Sequence, residues 1–302
     1  MVSPSDPTPA TPVEAPDVAL LFEGGGMRNS YTAACVAALV EQQVRVGWVG
    51  GISAGASHTV NFLSHDAERS RQSFVDFGAA PGTGGISSFL RGDGYFNAEY
   101  IYETSGLPGN EFPFDWETLA ADPTPFRIGA MHARTGDTVY WGRDDITDLP
   151  SLMKRVRASS TMPVLMKTPE VDGEPYVDGA LGSSGGVLLE AAENDGFEKF
   201  LVVCTRPRDY VKPEVKYPGA VRRILRDTPA VAEAVITRPA RYNATKRRLL
   251  ELEEQGRALL FFPDHMRVSN TERRVEKLRA SYEAGAAQTR ADWPRWMEFL
   301  TA

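Results

Sequence analysis

The chain has 302 residues, 42% hydrophobic and 24% charged, with 27 glycines, 21 prolines and a formal charge of −7. A chain of this length removes roughly 75% of its unfolded surface from water, so its core needs no disulfide or structural metal to hold it. The acidic balance argues against a nucleic-acid partner, which demands clustered Lys and Arg. The short run Lys246-Arg247-Arg248 is followed by Glu251, Glu253 and Glu254 and reads as a salt-bridged helix face. Cys35 and Cys204 sit in apolar runs, without a Cys or His partner at a metal-ligand spacing, and read as core thiols. No metal or cofactor is expected.

Residues 1–16, MVSPSDPTPATPVEAP, are rich in Pro, Ser and Thr. They lack the basic start and apolar centre of a signal peptide, and read as a disordered leader of a cytoplasmic protein. No stretch reaches the ~18 consecutive apolar residues of a membrane span. From Asp17 onward, short apolar runs alternate with longer helical stretches, the pattern of a parallel sheet covered by helices. Val18 to Phe22 forms the first strand, a glycine loop follows, and a helix runs from about Asn29 to Gln42. VRVGWVGG is the second strand and ends directly before a helix that starts near Ser53. Further strands are expected at Phe126 to Ala133, at Thr138 to Gly142, in a hairpin around Asp172-Gly173, at Phe200 to Thr205 and at Ala258 to Phe262. Residues 78–95, rich in glycine, read as a loop over the active end of the sheet, and residues 219–256 as helical throughout. In that loop Ile86, Phe89 and Leu90 form an apolar group between glycines, either a core cap or a lip for transient contact with a membrane surface. The domain reading is a catalytic core over 17–210 and a mostly helical C-terminal extension over 211–302.

Chemistry concentrates in three places. Gly51-Ile52-Ser53-Ala54-Gly55 is a G-x-S-x-G between a strand and a helix, a turn that would expose a serine nucleophile beside fresh helix amides. A second match, Gly182-Ser183-Ser184-Gly185-Gly186, lacks the strongly apolar strand before it. On the motif alone, a glycine-rich turn without catalysis is an equal reading. Gly24-Gly25-Gly26-Met27-Arg28 exposes successive amides, a nest for a phosphate or for the oxyanion of an acyl-transfer intermediate. Asp178-Gly179-Ala180 could aim a carboxylate at the active end, or be an ordinary Asp-Gly turn.

In this order the three motifs resemble the patatin-like phospholipases, as do Arg157-Ala158-Ser159-Ser160, Met162-Pro163 and the segment Val268 to Glu272. The resemblance runs from about Val18 to the last helices. It implies an α/β fold, three-layer α/β/α with a mainly parallel central sheet, and a serine hydrolase of lipid acyl esters, phospholipid or lysophospholipid. It also implies Ser53 as nucleophile, Asp178 as its partner in a dyad without histidine, and residues 24–28 as the oxyanion hole. The sequence departs from the family at Asn29, where a further glycine usually follows the basic residue. It departs again at Leu181 to Gly186, where an Asn or Pro segment is common. Two rival readings are a Ser-Asp-His hydrolase using His265 and a non-enzymatic anion or nucleotide binder.

Overall fold

The computed structural model describes residues 12–85, 88 and 94–302. Strand β1 (Val13–Phe22) passes through a short 3-10 turn (Gly26–Arg28) into α1 (Asn29–Glu41), and β2 (Val44–Ile52) passes through Ser53 into α2 (Ala54–Leu63) and then α3 (Ala67–Phe74). A π-helical turn (Glu99–Thr104) and α4 (Trp116–Ala121) precede β3 (Phe126–His132), β4 (Thr138–Trp141) and α5 (Leu149–Ser159). The hairpin β5 (Glu170–Val171) and β6 (Glu174–Asp178) follows, then α6 (Leu189–Asn194) and β7 (Lys199–Val203). The C-terminal part holds α7 (Pro218–Ile224), α8 (Pro229–Glu254), β8 (Ala258–Phe261) and α9 (Val275–Thr301).

The sheet order is β5-β6-β3-β2-β1-β7-β8, with β4 also on β3. Strands β3, β2, β1, β7 and β8 run parallel, and the β4, β5 and β6 pairings are antiparallel. A parallel strand covered on both faces reads as an unbroken apolar run, because alternate side chains enter opposite layers. In β1, Val18, Leu20 and Phe22 join one core with α1, α2, α5 and α9, while Ala19 and Leu21 join the other with α6 and α8. The fold is thus the expected α/β/α arrangement with a mainly parallel sheet.

Three features differ from the sequence expectations. Strand β1 begins at Val13, inside the stretch read as leader, because Val13, Glu14 and Ala15 pair with Val44, Arg45 and Val46. A register shift between Ala15 and Ala19 accommodates Pro16, which has no N–H for the ladder. The helical stretch 219–256 is broken between α7 and α8, because Pro229 starts a helix and keeps Thr228 out of the α region (φ −134°, ψ 68°). The C-terminal extension is built into the sheet through β8, which pairs with β7 from Phe200↔Ala258 to Val203↔Phe261. Residues 86, 87 and 89–93 fall outside the description, and with them Ile86, Phe89 and Leu90.

Candidate active site

The register brings the two expected catalytic residues to one level. Ile52 pairs with Gly129 on β3, so Ser53 stands level with Ala130, and Ala130 pairs with Asp178 on β6. Ser53 adopts φ 58°, ψ −128°, a conformation that L residues avoid and that a close-packed surrounding must hold in place. Gly51 and Gly55 make it possible: a Cβ on Gly51 would lie 2.1 Å from the Gly55 carbonyl oxygen, and one on Gly55 2.2 Å from that of Phe22. The Ser53 N–H donates to Ser159 Oγ (2.9 Å), and the Ser159 hydroxyl donates to the Gly129 carbonyl (2.6 Å). Ser159 therefore ties the elbow to β3. Ser184 has no such setting. It lies in the turn after Leu181, with its Oγ accepting from the Gly186 N–H (3.4 Å).

Asp178 ends β6 with its carboxylate buried and its Oδ1 accepting from the Ala180 N–H (2.9 Å). Burial raises its proton affinity above the usual aspartate range, against the pull of Arg238, the Ala180 N–H and the Ser53 hydroxyl. Tyr102, from the π-helical turn, lines the same space together with Ser57 and Ser160.

In the loop at 24–28, the Gly24 N–H donates to the Gly186 carbonyl (3.1 Å), that of Met27 to Asn270 (3.0 Å) and that of Arg28 to Gly25 (3.4 Å). Among the described residues the amides of Gly25 and Gly26 donate to no protein atom. Gly26 takes φ 55°, and a Cβ there would meet the Asn270 carbonyl oxygen at 2.5 Å. Asn29, where the family has glycine, is fully buried and its Nδ2 donates to the Glu23 carbonyl (3.2 Å), which ties the loop to the start of α1.

Ser53, Gly26 and Met27 open onto a cavity of ≈ 110 Å³ lined by Phe74, Phe77, Phe96, Phe112, Phe114 and Met162. No histidine lines it. His58 is fully buried between Phe22 and Phe74, hydrogen-bonded to Thr32 (2.9 Å), and burial holds it neutral by pushing its pKa down to about 3. His65 pairs with Asp122 and His132 with Glu174, and His265 lines a separate groove with Tyr31 and Asp264. Among the described residues no group of His, Cys, Asp or Glu is placed to hold a metal ion.

Sequence reasoning left Ser159, Tyr102 and Asn270 without roles. Ser159 and Asn270 lie in segments that resemble the family, but their hydrogen bonds to the elbow and the loop are visible only in three dimensions. Replacing Ser159 by Ala leaves a buried N–H and a buried carbonyl unpaired, each costing about 1–3 kcal/mol. The expected result is a lower melting temperature and a fall in kcat with KM little changed, since only the position of Ser53 is lost. A change confined to KM would show that Ser159 positions the substrate instead.

A family model described as "Patatin-like phospholipase" matches residues 20–190, and one described as "Domain of unknown function (DUF6363)" matches residues 228–301. A comparison with curated proteins finds no match. Among solved structures, the chain is similar to the crystal structure of VipD from Legionella pneumophila, with 12% sequence identity and a TM-score of 0.49. The likeness covers 94% of this chain and 66% of that one, so this chain spans a little under two thirds of VipD's length. The first match takes in more than half of the chain and all three motifs around Ser53 and Asp178, and by it the protein belongs to the patatin-like phospholipase family.

Proposed function

We propose that the protein is a serine hydrolase of lipid acyl esters, of phospholipase A type, that works through a Ser53–Asp178 dyad. The observation that carries this reading is the meeting of a strained serine, a buried carboxylate and two unused amides at the mouth of an apolar cavity. The acyl chain enters the cavity, which places the ester carbonyl beside Ser53. Asp178 takes the hydroxyl proton as Ser53 Oγ attacks, and its raised proton affinity brings it closer to what that step requires. The amides of Gly25 and Gly26 hold the oxyanion of the tetrahedral intermediate. Its collapse expels the alcohol with the proton that Asp178 carries, and water, deprotonated by the same carboxylate, then releases the fatty acid.

A Ser-Asp-His mechanism finds little support, because His265 lies in a different groove. A phospholipid or lysophospholipid substrate is favoured by the family and by the aromatic cavity. Contact with lipid surfaces would be transient, and no helix among the described residues is long and apolar enough to cross a membrane.

Organophosphonate labelling followed by peptide mass spectrometry tests the assignment. The adduct is expected on Ser53 and not on Ser184, although both lie in G-x-S-x-G. Labelling of Ser184 would overturn the assignment, and labelling of neither would favour an anion binder.

A further inference from the structure

Although the chain is acidic overall, four cations gather beside the oxyanion loop. Arg28 belongs to that loop, Arg206 and Lys212 to the segment after β7, and Arg238 to α8. Arg206 and Lys212 lie against a pair of tyrosines, Tyr210 and Tyr242, whose rings lie 6.1 Å apart edge to face. The Arg206 guanidinium sits 4.4 Å over Tyr210, and Lys212 Nζ 4.7 Å over Tyr242. Arg238 Nε donates to the Gly185 carbonyl (3.2 Å). The segment is braced: Asn243 exchanges two hydrogen bonds with the Lys212 backbone (2.9 Å each), and Lys246 donates to the carbonyls of Pro207 (3.1 Å) and Tyr210 (2.6 Å).

Among the described residues these charges are only partly offset, by the Glu23 carboxylate, with which none of them forms a salt bridge. Some arginines elsewhere pair with carboxylates, Arg155 with Asp172, Arg208 with Glu253 and Arg248 with Glu193, whereas others, such as Arg69 and Arg241, bond backbone carbonyls. Among the described residues Arg28, Arg206, Lys212 and Arg238 form no salt bridge, and the buried Nε atoms of Arg28 and Arg206 have no partner. The nearby carboxylate, Glu23, accepts from the Thr205 N–H (2.5 Å). Burial, and then the charge of Arg238, push Lys212 down to about 8, a sign that the cations crowd one another. A fixed, unpaired cationic cluster is costly unless an anion visits it.

The cluster borders the reaction. Arg238 lies 3.9 Å from the Cβ position of Gly186, whose carbonyl accepts from Gly24, and the Cβ position of Gly24 lies 3.1 Å from Ser53 Cβ. None of the four cations lines the aromatic cavity, so the apolar and charged parts of one lipid would meet different residues. We propose that Arg28, Arg206, Lys212 and Arg238 form a subsite for the phosphate of a lipid head group, so that the protein selects lysophospholipids and phospholipids of net negative head-group charge over zwitterionic ones. This rests on the hydrolase reading above. Three of the four residues lie beyond the matched stretch 20–190, so the segment after β7 and α8 supply the selectivity.

Binding is read by calorimetry in the Ser53→Ala background, which needs no turnover. The probes are a lysophosphatidylglycerol, a lysophosphatidylcholine of the same acyl chain, both below their micellar concentrations, and inorganic phosphate. The anionic lipid is expected to bind about tenfold or more tightly than the zwitterionic one, and Arg206→Gln with Lys212→Gln should erase that preference. Lys212→Arg, which keeps the charge, should retain it, and also serves if the double variant does not fold. Equal affinity of the two lipids for the parent would overturn the proposal. So would phosphate binding that falls in the double variant while lipid affinity stays unchanged, since the site would then serve free phosphate. Turnover of the same lipids by the unsubstituted protein is measured separately: no hydrolysis with the binding preference intact would remove the hydrolase reading and leave the anion subsite standing.

Discussion

Asp178→Asn should lower kcat/KM by about two to four orders of magnitude, the usual weight of a positioned general base, and at the same time raise the melting temperature at neutral pH. The two effects share one cause. Burial lifts the folded-state pKa of this carboxyl above its unfolded value, so ionising it costs the native state free energy. That cost is fully present above the folded value and disappears as the pH falls through it toward the unfolded value. Asparagine keeps the shape, and its Oδ1 can still accept from Ala180, so only the charge and the basicity are lost. The stability gain should therefore be seen at pH 7 and vanish in acid. The acid limb of the kcat/KM profile of the unsubstituted protein should lie above the ordinary aspartate pKa of about 3.9. His58→Ala, His132→Ala and His265→Ala serve as comparisons: loss of turnover in a folded His265→Ala protein would favour a triad. Loss of turnover in Asp178→Asn together with a lowered melting temperature would point to a structural carboxylate instead.

Parts of this site could be read from the sequence because they are local. Val18 to Phe22 is a continuous apolar run and Val44 to Ile52 a largely apolar one interrupted by Arg45, and both end in glycine-bearing turns, which fixes both the strands and the place where Ser53 leaves the sheet. Asp178 was far less legible, since Asp-Gly is a common turn dipeptide, and it stood out only through its order with the other two motifs. Its meeting with Ser53 depends on β6 pairing antiparallel to β3, a long-range choice that no local pattern encodes. The start of β1 was hidden because Pro12 and Pro16 flank it, and only pairing with β2, supported by Glu14 and Arg45, makes it a strand. The cationic cluster was invisible for a similar reason. Its four members are scattered between residues 28 and 238, and what separates them from ordinary surface cations is their convergence in space beside the oxyanion loop.

Gly25→Ala should cost about two to three orders of magnitude in kcat, the weight of an oxyanion donor, although the substitution adds only a methyl group. The space for that methyl is already taken. A Cβ on Gly25 would lie 2.6 Å from Asn29 Oδ1 and 2.8 Å from Thr205 Oγ1. Neither neighbour yields easily, because Asn29 holds the Glu23 carbonyl and Thr205 holds the carbonyl of Gly24 and the carboxylate of Glu23. The loop itself must shift, and with it the direction of the Gly25 and Gly26 amides. On the proposed reading the aromatic cavity binds the ester in its ground state, so KM should change much less than kcat. A fluoroketone that forms a tetrahedral adduct with Ser53 separates this account from simple disorder. Its adduct carries the oxyanion, so its affinity should fall in parallel with kcat, whereas a ground-state analogue with the same acyl chain should bind nearly as before. A fall in kcat with fluoroketone affinity preserved would mean that the oxyanion is held elsewhere, at the amides that open α2 beyond Ser53.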